Sequence, residues 1–174
     1  MSLQKLSPLN KDGTANVFIE IPFGSNVKYE YNSDLGMIEV DRFSMTSMSY
    51  PCNYGSIFNT LGGDGDPIDA LVITRFPLIP NCIIKVRMIG VLFMTDESGT
   101  DEKILCIPTI KADKYYSNIN TYTDLPQIEL DKIKHFFERY KDLDEGKWVK
   151  VDRWGDENEA MKVISDGIKN FSCK

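Results

Sequence analysis

The chain has 174 residues, 42% of them apolar, and a formal net charge of −6. That length suits a single domain spanning residues 1–174 with a sizeable core, and the composition excludes disordered and fibrous classes. The negative charge excludes a general nucleic-acid binder, which needs a basic footprint to release counterions from phosphates.

In chain order, Met1 to Pro8 lacks the continuous apolar segment of a secretory leader, and no later stretch reaches bilayer-spanning length. A cytoplasmic location without a membrane partner is expected. Residues 1–15 are polar and irregular and read as a loosely tied arm or short edge element. Residues 16–21 read as a strand stopped by Pro22. Glu20 interrupts its apolar residues, so this carboxylate either faces solvent on an edge or is aimed at a site. Val27-Lys28-Tyr29-Glu30-Tyr31 alternates strictly, placing Lys28 and Glu30 on the face opposite Val27, Tyr29 and Tyr31. A turn over residues 32–36 joins it to residues 37–43 as a hairpin. There Arg42 falls on the side of Ile38 and Val40, where it either reaches for an anion or acid or snorkels to the surface. Ser49-Tyr50-Pro51-Cys52-Asn53-Tyr54-Gly55 is aromatic and punctuated. Core packing accounts for Tyr50 and Tyr54, although a tyrosine hydroxyl also holds a phosphate oxygen or a metal-bound water.

Next comes Gly62-Gly63-Asp64-Gly65-Asp66-Pro67-Ile68-Asp69-Ala70. Three carboxylates fall within six residues, among glycines and a proline that rule out a helix, and the apolar run Ala70-Leu71-Val72-Ile73 follows. This is a loop delivering acids to a strand. Gathered negative charges need cations or water around them, so the loop is either a solvated turn or a metal site. An EF-hand is excluded: counting from Asp64, Asp69 is sixth and Arg75 twelfth, where that loop needs Gly and Glu. A rigid connection over residues 76–80 leads into a long strand from Cys82 to about Met94, with Gly90 a bulge or bend. Residues 104–108 close a hairpin whose polar loop puts Asp96 and Asp101 at its shoulders. Directly opposed, their β-carbons would lie roughly 5 Å apart, a repulsive pair without a cation and a second candidate metal cluster. A solubilising acidic loop is the alternative.

Beyond Pro108 the pattern turns helical. A helix beginning near Pro126 carries Ile133, Phe136, Phe137 and Tyr140 at i, i+3, i+4, i+7 spacing as its buried stripe. His135, the only histidine, reads as a packing or interface residue, and without a second one no histidine-rich zinc site is expected. A strand over residues 147–151 follows, then a helix from about Glu157 with Ala160, Met161, Ile164, Ile168 and Phe171 inward. Cys52, Cys82, Cys106 and Cys173 lie far apart and read as free, buried thiols. Many short strands followed by two outer helices predict a mainly β (α+β) fold, a closed or partly closed β-barrel with helical cover.

If the strand shoulders meet at one barrel mouth, Asp64, Asp66, Asp69, Asp96, Glu97 and Asp101 line it, with Lys28, Arg42, Lys103 and Lys141 around them. Oxygen ligands without His or Cys select Mg²⁺ or Mn²⁺, and cations beside such ions suit a small, highly charged phosphate. A barrel that binds oligonucleotides or sugars is the rival from another class, opposed by the acidic mouth. A phosphatase acting on nucleotides or phosphoesters is the rival enzyme.

These residues also carry a family resemblance. Asp64-Gly65-Asp66-Pro67-Ile68-Asp69-Ala70 resembles the signature of the soluble family I inorganic pyrophosphatases of bacterial type. It is joined by Ile19-Glu20-Ile21-Pro22, Lys28-Tyr29-Glu30, Val40-Asp41-Arg42-Phe43, Tyr50-Pro51-Cys52-Asn53-Tyr54-Gly55, Met94-Thr95-Asp96-Glu97, Asp101-Glu102-Lys103 and His135-Phe136-Phe137-Glu138-Arg139-Tyr140-Lys141. The resemblance runs from about residue 16 to residue 154. It implies a five-stranded OB-like closed β-barrel with two flanking helices. It implies Asp64, Asp69, Asp96 and Asp101 as direct metal ligands, with Glu20, Glu30, Glu97 and Tyr50 in supporting, water-mediated or further-ion roles. Lys28, Arg42, Tyr54, Lys103, Tyr140 and Lys141 would grip the phosphates, and Asp66 would be the general base. The reaction implied is hydrolysis of pyrophosphate to two orthophosphates by a metal-activated water, with Mg²⁺ as cofactor and Mn²⁺ or other divalent ions substituting. A homohexamer is implied by family and length, although Arg139 stands where many bacterial relatives carry a subunit-packing histidine.

Overall fold

The structure is a computed structural model that describes residues 3–173. The arm expected at the start is tied down from Ser7 onward, while Met1 and Ser2 lie outside the described residues. The Asn16 N–H donates to Pro8 O at 3.1 Å, its side-chain amide donates to Ser7 O at 2.8 Å, and Leu9 bridges Ala15.

Strands β1 (Ala15–Ile21), β4 (Asn53–Ile57), β5 (Ile68–Val72), β8 (Lys103–Pro108) and β6 (Cys82–Asp96) pair in that order. β6 then pairs back onto β1, closing a ring of five. Only β5 with β8 is parallel among these pairings. Strands covered on both faces read as near-continuous apolar runs, and alternate residues go to opposite sides. Leu71, Leu92 and Leu105 join the core beneath α1 (Gln127–Arg139), whereas Ala70, Val72, Val91 and Ile104 join the core beneath α2 (Glu157–Ser172). This is the expected OB-like barrel with two flanking helices.

α1 begins after Pro126, whose fixed φ and missing N–H suit a helix start, and buries Leu130, Ile133, Phe136 and Phe137. Each such side chain is worth about 1.5 to 3 kcal/mol when fully buried, so the stripe and not propensity holds the helix. α2 opens with a capping box in which Asp156 accepts from the Asn158 and Glu159 N–H groups and Glu159 accepts from the Asp156 N–H. Ala160 and Ile164 face inward as expected, but Phe171 is 43% exposed. Gly167 is buried instead: a Cβ there would stand 2.3 Å from Ile68 Cδ1, so the helix backbone sits close on the sheet.

β2 (Val27–Asn32) and β3 (Met37–Phe43) make the expected hairpin as a separate two-stranded sheet. β9 (Val149–Gly155) lies along β6, beginning two residues later than expected and running on because Arg153 and Trp154 pair with Phe93 and Leu92. All four cysteines are free; Cys52 and Cys106 are buried, but Cys173 is exposed. Among the described residues no helix is long and apolar enough to cross a membrane.

Candidate active site

One layer along from Leu71 and Leu105, the same sheet face turns polar. The register sets Ser56 of β4 against Asp69 of β5, and Asp69 against Lys103 of β8. Lys103 is 2% exposed and holds its ammonium 2.8 Å from Asp69 Oδ2 and 2.8 Å from Asp101 Oδ1. It also donates to the Tyr54 hydroxyl at 3.2 Å, and Tyr54 donates in turn to Asp69 Oδ2. Burial alone would push the Lys103 ammonium down, yet Asp69 and Asp101 reverse this and hold it above its ordinary value. Burial raises the Asp101 carboxyl; Lys103 opposes that shift and the Asp69 charge adds to it.

A tight turn joins β6 to the short strand β7 (Gly99–Thr100). Asp96 opposes Gly99 there, and the Asp101 N–H donates to Met94 O at 2.9 Å. Asp96 and Asp101 are therefore not the directly opposed pair that the hairpin pattern suggested. Each turns to its own lysine. Lys141, just past α1, lies 2.8 Å from Asp96 Oδ2 and 3.2 Å from both Glu97 carboxylate oxygens, and Lys147 lies 3.2 Å from Glu97 Oε1. Burial pushes Asp96 up, but Lys141 and the Ser98 N–H outweigh it and lower its pKa. Burial likewise opposes, and its own backbone N–H, Lys147 and Lys141 outweigh, so that Glu97 falls to about 2.

The β2–β3 hairpin supplies further cations. Lys28 opposes Arg42, and a bulge at Asp41 then sets Tyr29 against Val40. That bulge breaks the strict alternation behind the expected apolar-side placement of Arg42: Val40 is 52% exposed, while Arg42 lines the cleft. Lys28 pairs with Glu30 and lies 3.2 Å from Asp41 Oδ2.

Glu20 is 8% exposed, so the edge-facing alternative is overturned. In the pairing with β4, Ile19 opposes Gly55 and Ile21 opposes Tyr54, leaving Glu20 as the extra residue of a bulge. The phase flips across it: Ile19 joins the core beneath α2, and Ile21 the core beneath α1. Burial, with the Asp69 charge adding, raises Glu20 to about 7, against hydrogen bonds from Ser56 and Tyr31 that lower it.

In the acidic loop, the positive φ of Gly65 (94°) turns the backbone so that Asp64 Oδ1 accepts from the Asp66 N–H at 3.1 Å. Asp66 stays exposed at the tip, and burial raises Asp64. The residues expected in the site, Tyr50 excepted, line one cleft of about 490 Å³. Tyr50 is 6% exposed and packs behind it, 5.5 Å from the Tyr54 ring and 4.8 Å from the Phe136 ring. Ser56, Phe58 and Lys147 also line the cleft without having been singled out in the sequence. Alternation with Tyr54 would have found Ser56 had β4 been recognised.

Over residues 17–172 the chain matches the family described as Inorganic pyrophosphatase. The chain belongs to that family. An inorganic pyrophosphatase of Campylobacter jejuni is 50% identical over 171 residues, covering 98% of this chain and 99% of that one. One of Sulfolobus acidocaldarius is 52% identical over 169 residues, covering 97% and 98%. The solved structure of the Helicobacter pylori inorganic pyrophosphatase matches with a TM-score of 0.93 at 44% identity, covering 97% of this chain and 99% of that one.

Inorganic pyrophosphatases need a divalent metal. The donors that Asp64, Asp69, Asp96 and Asp101 offer are all oxygen, the chemistry that a hard divalent ion selects. Among the described residues no three His, Cys, Asp or Glu side chains form a ready-made cage; Lys103 and Lys141 stand between the carboxylates and meet the same demand for positive charge. The donor chemistry fits a divalent cation.

Proposed function

We propose that this chain hydrolyses inorganic pyrophosphate to two orthophosphates with Mg²⁺ as its metal. The observation that carries this reading is the interleaving of acid and base along one cleft: Asp69 and Lys103 on the ring with Asp101 just before β8, then Asp96, Lys141 and Glu97 beside them. A polyanion needs the cations and a metal needs the carboxylates. A solvated acidic turn needs neither.

Asp64, Asp69, Asp96 and Asp101 are the residues that would hold the metal, with Glu20, Glu30 and Glu97 in support. Bound there, a divalent ion supplies Lewis acidity, making water more acidic and drawing charge from phosphoryl oxygens. Lys28, Arg42, Lys103 and Lys141 bind and orient the phosphoryl oxygens and offset the charge that spreads over the transferred group. Burial raises the phenols of Tyr54 and Tyr140, so both remain protonated hydrogen-bond donors at neutral pH. Tyr50 supports Tyr54 from behind. Asp66, at the exposed loop tip, accepts the proton of the attacking water, which reaches phosphorus directly without a covalent enzyme intermediate.

The test is phosphate release from pyrophosphate and from ATP with Mg²⁺, for wild type and Asp66→Asn. Wild type is expected to prefer pyrophosphate. The variant is expected to lose roughly 10²- to 10⁴-fold in rate, the usual contribution of a general base, while keeping its circular dichroism because Asp66 is exposed. Equal release from ATP would favour the broader phosphatase, and undiminished turnover in Asp66→Asn would reject the base.

A further inference from the structure

The Glu20 carboxylate is held by two neutral donors and pairs with no Lys or Arg among the described residues. Ser56 Oγ donates to its Oε2 at 2.6 Å, and the Tyr31 N–H donates to its Oε1 at 3.0 Å. The two donors differ in where they are anchored. Tyr31 belongs to the β2–β3 hairpin, which pairs with no ring strand, whereas Ser56 belongs to β4, between β1 and β5 in the ring. Ser56 opposes Phe18 on one side and Asp69 on the other.

Glu20 comes from a bulge, where the sheet ladder leaves the extra residue unpaired. Neighbouring residues of β4 offer no substitute donor, since Gly55 has no side chain and the Tyr54 hydroxyl is given to Asp69. A serine hydroxyl carries a single proton, and here Glu20 receives it. Ser56 is itself buried, at 7% exposed.

We infer that Ser56 is a positioning residue: its hydroxyl fixes the Glu20 carboxylate to the ring, in register with Asp69, and so sets the affinity of the cleft for its divalent metal. This rests on the pyrophosphatase reading of the same cleft. The role assigned to Ser56 is exerted through Glu20, to which its hydroxyl is given.

The experiment titrates Mg²⁺ into the full-length protein and reads two quantities, the thermal midpoint and the rate of pyrophosphate hydrolysis. Ser56→Ala is expected to need roughly 10-fold more Mg²⁺ for half effect in both, the low end of what losing a hydrogen-bond partner around a metal site costs. Ser56→Thr keeps the hydroxyl and is expected to restore the wild-type Mg²⁺ dependence to within about twofold. In a Glu20→Gln background, Ser56→Ala is expected to add less than about twofold, because its effect passes through Glu20. Should Ser56→Ala fail to fold, the near-isosteric pair Ser56→Thr and Ser56→Val makes the same comparison. The inference is overturned if Ala matches wild type, if Thr shifts as far as Ala, if Val matches Thr, or if the two sites prove additive. Loss of the hydrolysis reading alone is a separate failure: wild type would leave pyrophosphate intact while the thermal titration still separated Ala from Thr, which upholds the role of Ser56.

Discussion

Glu20 is a carboxylate that folding places where its charge is costly. Its pKa stands at about 7 in the folded chain against an ordinary 4.5, chiefly through burial. The raised value means that between those pH limits the native state keeps a proton that the unfolded chain has released. Stability therefore falls as pH rises through this window, and the group contributes no slope below about 4.5, where both states are protonated, or above about 7, where both are ionised. At about 1.4 kcal/mol per pKa unit, the change is on the order of 3 kcal/mol. Glu20→Gln removes the titration and leaves other groups in place. In chelator, urea unfolding of the two proteins at pH 5 and pH 8 should show the variant gaining on wild type by a few kcal/mol at the higher pH. Parallel pH profiles would mean that Glu20 ionises in the folded protein as freely as in water.

At the scale of elements, the β2–β3 hairpin, the acidic loop feeding β5, the long β6 with its irregularity near Gly90, and both helices follow from period and punctuation. β4 does not, because Pro51 and Gly55 read as turn signals while tertiary structure uses Gly55 for a close approach. A Cβ on Gly55 would stand 2.0 Å from Phe18 O and 3.0 Å from Ile19 Cα, both backbone atoms of β1. Sequence periodicity records side chains and is blind to such contacts between main chains. The inward aim of Glu20 was hidden for a related reason, since a bulge shifts the phase on which an alternation argument depends. The cleft was more legible than its wall: charged residues in loops and at strand starts announce themselves, whereas Ser56 is unremarkable until its neighbours across two strands are known. Gly55→Ala is expected to push β1 from β4 beside the Glu20 bulge and cost at least about 2 kcal/mol, as overpacking against immobile atoms does. The readout is a lower urea midpoint with an unchanged slope; a midpoint equal to wild type would show that the two strands separate without strain.

For the whole molecule, what matters is where the excess charge resides. Among the described residues lining the cleft, eight are acids and five are lysines or arginine, a formal surplus of three acids in a chain whose formal net charge is −6. A concave, partly buried surface focuses that potential, so the metal-free protein repels a polyanion from the place where its lysines would bind it. Divalent cations reverse the sign locally. Monovalent salt screens exposed charges but gives no coordination to partly buried carboxylates. In excess chelator the protein should stay folded and release no phosphate. Adding Mg²⁺ should restore turnover and raise the unfolding free energy by mass action, by about 2.7 kcal/mol at a concentration 100 times the dissociation constant. Sodium chloride at matched ionic strength should do neither. Full turnover in chelator would remove the metal from the reaction, and a thermal midpoint that rises as much with sodium as with magnesium would reduce the acid cluster to ordinary surface electrostatics.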